Sequence, residues 1–487
     1  MRDDKQKPQS SGPFYRFRSV DALLGDRREL DNQEIYFCPL HDLNDPMEGY
    51  MDLFWRGDKV VWRNLLRHYL ECLTQSFMAA SILGEEFDVA RIRGFMLMIP
   101  ATRTVQMSEI HAHVRSAFFA THNVAKIPEV LGSRTTAIRR EELELCLRGI
   151  HGVALKSIIT ALRERGRFPP ENKTDSGSVT LEADALDRLL KAFNGLEEYQ
   201  IKSGSENLTA LLRACAHVQS QVDLILYRGS TDGLSRAWHA IFRSFPEHYV
   251  DSIRDLVYPE WYVACFVSDP TNTAMWGHYG DGHKGVCLQF RAKEEGGSPF
   301  LKMRGIRGWH GGPNGGGPSY GDIPLSFEQV NYTGKLPEID FFRSLGRISE
   351  PDLRSQWYRD EQGNESECVQ DVFGSMPDWR TRYWAQFKNI TLTKLQDWRH
   401  EDEYRLILTS ALDSFKTTEN RKLKYQFCDL DGIIFGIRTS LADKARIIDI
   451  VNAKCKAEGR TAFAFHQAVY AAHSGKIEIC PLSMIQP

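Results

Sequence analysis

The run Met275-Trp276-Gly277-His278-Tyr279-Gly280-Asp281-Gly282-His283-Lys284-Gly285-Val286-Cys287-Leu288-Gln289-Phe290 sets two histidines, an aspartate, a lysine and four glycines between a helix-like aromatic turn and an apolar alternation. Glycine permits positive φ and close backbone approach. The stretch therefore predicts a tight turn carrying His278, Asp281 and His283, followed by a strand from Gly285 to Phe290. Taken alone it fits equally well a hairpin capped by its histidines and a binding loop, since loops on a rigid scaffold carry function.

Working outward, strand patterns stand at both ends of the chain. Phe14 to Phe17 and Glu34 to Phe37 read as strands, with a helix starting at Val20 to Leu24. Asn44-Asp45-Pro46 reads as a turn, because the residue before proline is pushed out of the helical region. Trp261 to Val267, Glu403 to Leu408, Leu430 to Gly436 and Lys476 to Cys480 read as further strands, and Leu441 to Lys456 as a helix. Leu325 to Tyr332 looks extended and Asp378 to Asn389 mixed. The stretch 305–321, rich in glycine and proline, reads as a mobile surface loop. It lacks the Gly-Lys-Ser/Thr ending of a phosphate-binding loop.

Between these ends the texture is helical. Trp62, Leu65, Leu66, Tyr69, Leu70 and Leu73 recur at helical spacing, as do Leu143, Cys146, Leu147, Ile150, Ala154, Ile158 and Leu162. Leu186, Leu189, Leu190 and Phe193 form a third stripe, and Leu208, Leu211, Leu212 and Cys215 a fourth. Each reads as core. Pro169 to Ser178 reads as an exposed, protease-sensitive loop.

Composition narrows the class. The 487 residues suffice for about three average domains, or for one domain with a large insertion. Hydrophobic residues make up 42% and charged residues 26%, as in ordinary globular proteins. With 61 Lys and Arg against 64 Asp and Glu, the net charge of −3 leaves no global basic field for nucleic acid. The ten cysteines form no CxxC pair, which argues against a zinc ribbon or disulfide framework. The polar N-terminus lacks a signal-peptide pattern, and no uninterrupted apolar run approaches the ~20 residues of a membrane span. Those features predict a cytoplasmic protein with no membrane partner.

Three polar clusters carry the candidate chemistry: Tyr15-Arg16 with Asn44, Asp45 and Glu48; His278 to Lys284; and Lys394 to Arg405. Alternation in the last puts Glu403, Arg405 and Ile407 on one strand face. A carboxylate beside a guanidinium on an apolar strand is costly unless paired or used, so a structural Arg405–carboxylate bridge is the simpler reading of that pair alone.

Together, Tyr15-Arg16-Phe17-Arg18, Asn44-Asp45-Pro46-Met47-Glu48, Met275 to Gly285 and Trp398 to Arg405 resemble a bacterial family catalogued as domain of unknown function 2971. The likeness takes in Leu430 to Gly436 and both ends of the chain. A weaker resemblance, to ADP-ribosyltransferases, lies in the three-part layout of an aromatic-polar first strand, a middle strand after a glycine-rich turn and a late strand bearing glutamate. That likeness implies NAD as substrate, no metal, and a glutamate stabilising a ribosyl oxocarbenium ion. It nominates Glu403, Glu401 and Arg405 as catalytic. Tyr15, Arg16, Asn44, Asp45, Trp276, His278, Tyr279, His283 and Lys284 are nominated for NAD binding. This chain departs from the pattern at its first strand, where that superfamily often has His or Arg and Tyr15, Arg16 and Arg18 stand here. The acceptor implied is macromolecular, nucleic acid among the choices, and the setting bacterial defence against phage or a toxin.

Two other readings use the same residues. Asp45, Glu48, His278, Asp281, His283, Glu401 and Glu403 offer enough O and N ligands for a metal-dependent nuclease or hydrolase, although His278 and His283 lie five apart in a glycine turn. A non-enzymatic sensor or scaffold would instead use the helical block as a partner surface. The fold expected is α+β: a split, mostly antiparallel, ADP-ribosyltransferase-like sheet domain over residues 13–59 and 251–485, interrupted by an all-helical insertion over 60–250 and preceded by a flexible head, 1–12.

Overall fold

In the computed structural model, residues 12–97, 104–168, 183–229, 236–295, 297–312, 315–410 and 414–486 are described. The expectations for the head up to residue 11 and for Pro169 to Ser178 lie outside them. The chain is α+β and divides into two units. One comprises residues 1–50, 259–337 and 388–487, the other 51–258 and 338–387.

The larger sheet of the first unit has nine strands among the described residues: β1 (Phe14–Arg18), β2 (Cys38–Pro39), β3 (Trp261–Val267), β4 (Val286–Phe290), β5 (Glu328–Gln329), β6 (Glu403–Thr409), β7 (Leu430–Phe435), β8 (Ala464–Ala471) and β9 (Lys476–Pro481). Their order is β5-β6-β3-β1-β4-β7-β8-β9, with β2 also on β3. The pairs are antiparallel except β7 with β8. That parallel pair needs a crossover, which the helix Leu441–Glu458 supplies.

Period-two alternation gives the sheet two apolar faces. Phe14, Phe266, Leu288, Phe290 and Leu406 pack with Leu301, Met303 and Leu423 from a second sheet; Phe17, Val267, Trp276, Cys287 and Ile434 gather on the opposite side. The second sheet contains Ser298–Gly312 paired with Gly315–Ser326, then Lys422–Tyr425 and Glu34–Tyr36. Most of the expected mobile loop 305–321 is thus a long hairpin. Its cross-strand pairing reaches Gly312↔Gly315, which local propensity could not reveal because glycine carries no strand signal. The stretch expected to be mixed lies within a helix, Met376–Leu392.

Glycine matters most at the start of β4. A Cβ on Gly285 would run into the Arg18 carbonyl oxygen and stand 2.9 Å from that of Gly280. Gly285→Ala is expected to cost about 1–3 kcal/mol by forcing β1 and the turn apart. A chemical-denaturation midpoint equal to the parent's would contradict this.

The second unit is built on the helices Lys59–Leu83, Val105–Ala120, Arg140–Glu164, Ala183–Ser203 and Ser205–Gly229, and its core takes up most of the expected stripes. It is not all-helical. Asp52–Trp55 pairs with Ile138–Arg139 and with Glu338–Asp340, so residues 338–387 belong here and not with the first unit. Arg140–Glu164 is long and apolar enough to cross a membrane by length and composition, yet most of that window is buried inside the protein.

Within Arg140–Glu164, His151 has one ring nitrogen 2.7 Å from the Tyr69 hydroxyl and the other 2.9 Å from the Ile241 carbonyl. Nε2 therefore donates to the carbonyl and Nδ1 accepts from the hydroxyl, the neutral tautomer. Burial above all, aided by Arg148, pulls the imidazole down to about 4. The folded pKa lies below the unfolded ~6.5, so this contribution is present above pH ~6.5 and lost as pH falls toward 4. His151→Gln should flatten the stability profile in that window by on the order of 3 kcal/mol, measured by urea unfolding at stepped pH. An equal slope in parent and variant would contradict it.

Candidate functional site

The site begins where the large sheet forks. β1 pairs with β3 at Tyr15↔Val267, while β2 takes the same side of β3 at Cys38↔Val263. Between these points the Arg16 guanidinium fills the gap, donating to the Cys265 carbonyl and to the Tyr36 carbonyl, each at 3.2 Å. Burial and the neighbouring Arg18 pull Arg16 down to about 10. It therefore stays charged at neutral pH.

A cavity of about 250 Å³ opens at this fork. Tyr15, Phe17, Phe266, Val267 and Met275 give it apolar walls; Arg16, Arg18, Asp42 and Asn44 add polar groups; Glu48, Lys394, Glu401 and Glu403 also line it.

Those last four residues and Arg405 form one buried ionic cluster. Lys394 Nζ lies 2.6 Å from Glu401, 3.0 Å from Glu403 and 3.5 Å from Glu48. Arg405 donates to both oxygens of Glu403, at 2.8 and 3.1 Å, to Glu48, and to the Thr391 carbonyl at 2.7 Å. Tyr279 donates its hydroxyl to Glu401 at 2.7 Å, and the Glu403 amide donates to the Tyr332 hydroxyl at 2.9 Å. The backbone makes the convergence feasible: Asp402 adopts φ 44°, in the left-handed region, between Glu401 and β6.

Burial pushes the Glu403 carboxyl up, but Arg405 and Lys394 outweigh it and hold the group at about 2. Glu48 lies on the other side of that balance: burial, the largest influence, leaves it raised despite Arg405 and Lys394. Lys394 is raised because its three carboxylates overcome burial. Burial and then Glu401 raise the Tyr279 phenol.

Of the residues nominated from sequence, Glu401, Glu403, Tyr15, Arg16, Asn44 and Tyr279 come together at the cavity. Arg405 does not line it; fully buried, it positions Glu403 and Glu48. Asp45 spends its side chain on the turn, accepting from the Met47 amide at 2.9 Å. Trp276 is a core anchor, edge-on to Phe17 and donating to the Pro270 carbonyl at 2.7 Å. His278 and Lys284 are exposed and His283 half-buried, all three outside the lining. The helix Thr273–His278, capped by Asn272, explains this: it turns Met275 and Tyr279 toward the cavity, four residues apart, and leaves His278 on another face.

The NAD-directed nominations missed Lys394 and also Glu48, which entered only as a candidate metal ligand. Both sit in the polar clusters, but nothing in a single sequence says that residues 48 and 394 meet. Among the described residues no group of three or more His, Cys, Asp or Glu is arranged to hold a metal ion. The Lys394 ammonium already bridges the carboxylates that would have supplied one.

Residues 275–406 match the protein family of unknown function DUF2971. No curated protein and no solved structure matches the chain. The DUF2971 span supplies Met275, Tyr279, Lys394, Glu401, Glu403 and Arg405. Tyr15, Arg16, Asn44 and Glu48 come from outside it, so the cavity is completed by a segment far upstream of the DUF2971 match.

Proposed function

We propose that the first unit uses NAD, cleaving the nicotinamide–ribose bond as an ADP-ribosyltransferase or NAD glycohydrolase on an ADP-ribosyltransferase-like sheet. The observation that carries this reading is the distribution of charge around the cavity. Three lining carboxylates, Glu48, Glu401 and Glu403, face two cations, Lys394 in the lining and Arg405 buried behind it, leaving about one negative charge in a buried setting. Arg16 adds positive charge at the fork, where Arg18 is already paired with Glu29. NAD has the matching polarity, a cationic pyridinium and an anionic pyrophosphate.

As the bond breaks, its electron pair leaves with nicotinamide and positive charge passes to the ribose. A fixed anion in a poorly solvated site stabilises that oxocarbenium ion. Water or an acceptor nucleophile then bonds to the ribose carbon and releases a proton. Glu403, held at about 2, is ionised throughout the working range and so acts electrostatically and not as a proton carrier. The enclosed volume is just below the ~300–1,000 Å³ usual for small-molecule sites, which suits the nicotinamide–ribose half with the adenylate half outside. An effector role in bacterial defence or as a toxin is the setting this reading implies.

Incubating the purified protein with NAD labelled in either half, alone and with nucleic acid or cell lysate, tests it. Released nicotinamide with label on a macromolecule means transfer; release with free ADP-ribose means hydrolysis. Absence of both, with no NAD binding by calorimetry, would sink the proposal.

A further inference from the structure

The long hairpin of the second sheet outruns its neighbours. Ser298–Gly312 pairs with Lys422–Tyr425 at Met303 and Arg304, so beyond Arg304 it pairs, among the described residues, with Gly315–Ser326 alone. Residues 305–321 include Arg307 and His310 but no aspartate or glutamate. Arg304 and Arg307 are exposed, and Asp322, across from Arg304, is bridged instead to Lys302 at 3.5 Å. A lone two-stranded ribbon is marginal in water and gains stability by packing its large side chains. This one leaves Trp309 53% and Tyr320 58% exposed.

We propose that this ribbon is a docking surface for single-stranded nucleic acid. Trp309 stands opposite Pro318, and Tyr320 two residues further on, so the two rings take diagonal cross-strand positions on one face, about 7–8 Å apart. The indole is anchored. Its Nε1 donates to the hydroxyl of buried Ser414 at 3.0 Å, and Ser414 is fixed in turn by Ser410 and Asn420. The ring is therefore a rigid, half-exposed platform whose polar atom is already spent, and that selects the partner. A tryptophan at a membrane interface turns its N–H to the wet side and stands among aliphatic neighbours, whereas Trp309 has Gly308, His310 and Pro318 around it. An acidic peptide would answer the arginines but brings no row of flat rings, and a duplex hides its base faces. Single strands supply both bases to stack and phosphates to pair.

The cations beside the rings are free to meet a backbone. The Arg307 stem lies along Gly321, next to Tyr320, where a Cβ would stand 3.2 Å from its Cδ. Lys416, two residues beyond the anchoring Ser414, is exposed. Among the described residues no acid bridges Arg304, Arg307 or Lys416, so this surface is locally positive although the chain carries −3. Three neutralised phosphates correspond to a slope of about −2 in log affinity against log salt for a single strand.

Fluorescence anisotropy of the full-length protein with labelled, mixed-sequence oligonucleotides of about 12 nucleotides tests this without NAD, so its outcome is independent of the proposed reaction. Single-stranded DNA or RNA should bind more tightly than the matching duplex. Trp309→Ala should weaken binding about 5- to 150-fold, the worth of one stacked base, at an unchanged salt slope, while Trp309→Phe should keep most of the affinity. Arg307→Gln should instead make the slope shallower by about 0.7. Circular dichroism should match the parent in all three, because these side chains are exposed. Equal affinity for duplex, no binding of either single strand, or a Trp309→Ala protein that binds like the parent would overturn the proposal. Binding to phosphatidylserine vesicles but not to oligonucleotides would overturn it in favour of a membrane surface.

Discussion

Arg405→Ala is expected to cost about 3–5 kcal/mol of unfolding free energy, the range for removing one partner from a buried ionic group. The side chain is fully buried and bonds Glu403 twice, Glu48 once and the Thr391 carbonyl once. Without it, Glu48 and Glu403 would share only Lys394, which already serves Glu401. Arg405→Lys should recover little, because an ammonium cannot reproduce the forked geometry. The loss should also be non-additive: after Glu403→Gln, removing Arg405 should cost less than in the parent, since part of the interaction is already gone. Urea unfolding of the two single variants and the double variant measures this. A single-variant loss under about 1 kcal/mol, the value of an exposed pair, would show that the cluster does not hold the strand.

Glu401→Gln is expected to lower nicotinamide release by about 100- to 1,000-fold, the usual effect of removing one electrostatic group from a reacting centre, while leaving the melting temperature near the parent's. This rests on the NAD reading. The substituted amide could still accept the Tyr279 hydroxyl, and Lys394 would keep Glu403 and Glu48. Glu403→Gln should lose activity and stability together. Its carboxylate takes three charged hydrogen bonds that an amide cannot match. Comparing initial rates and thermal melts of the two variants separates the roles. Parent-like turnover in Glu401→Gln, in a protein that consumes NAD, would remove Glu401 from the reaction.

Much of the architecture is local and therefore readable from sequence. The alternation at Trp261 to Val267 and Glu403 to Leu408 encodes strands because every second side chain faces a core. Among the strands that escaped are Lys422–Tyr425 and Ala464–Ala471. The first is four residues long with lysines at alternate positions, and the second mixes His466, Gln467 and Tyr470 into its apolar run, so neither stands out from a loop.

The sequence by itself settles that Glu401, Glu403 and Arg405 crowd a strand start and must be paired or used, since buried charge is costly wherever the strand lies. It also places a tight glycine turn ahead of β4. Only the tertiary structure decides which groups answer that charge. Lys394, Glu48 and Tyr279 reach the cluster through sheet pairing and a fork between β1 and β3, contacts spanning up to 357 positions that no local pattern encodes. The same long-range geometry moves His278, His283 and Lys284 off the site. His278 stands one residue before Tyr279 on a short helix, a rotation of about 100°, and which face meets the cavity is set by the anchoring of Trp276 against Phe17 on the neighbouring sheet.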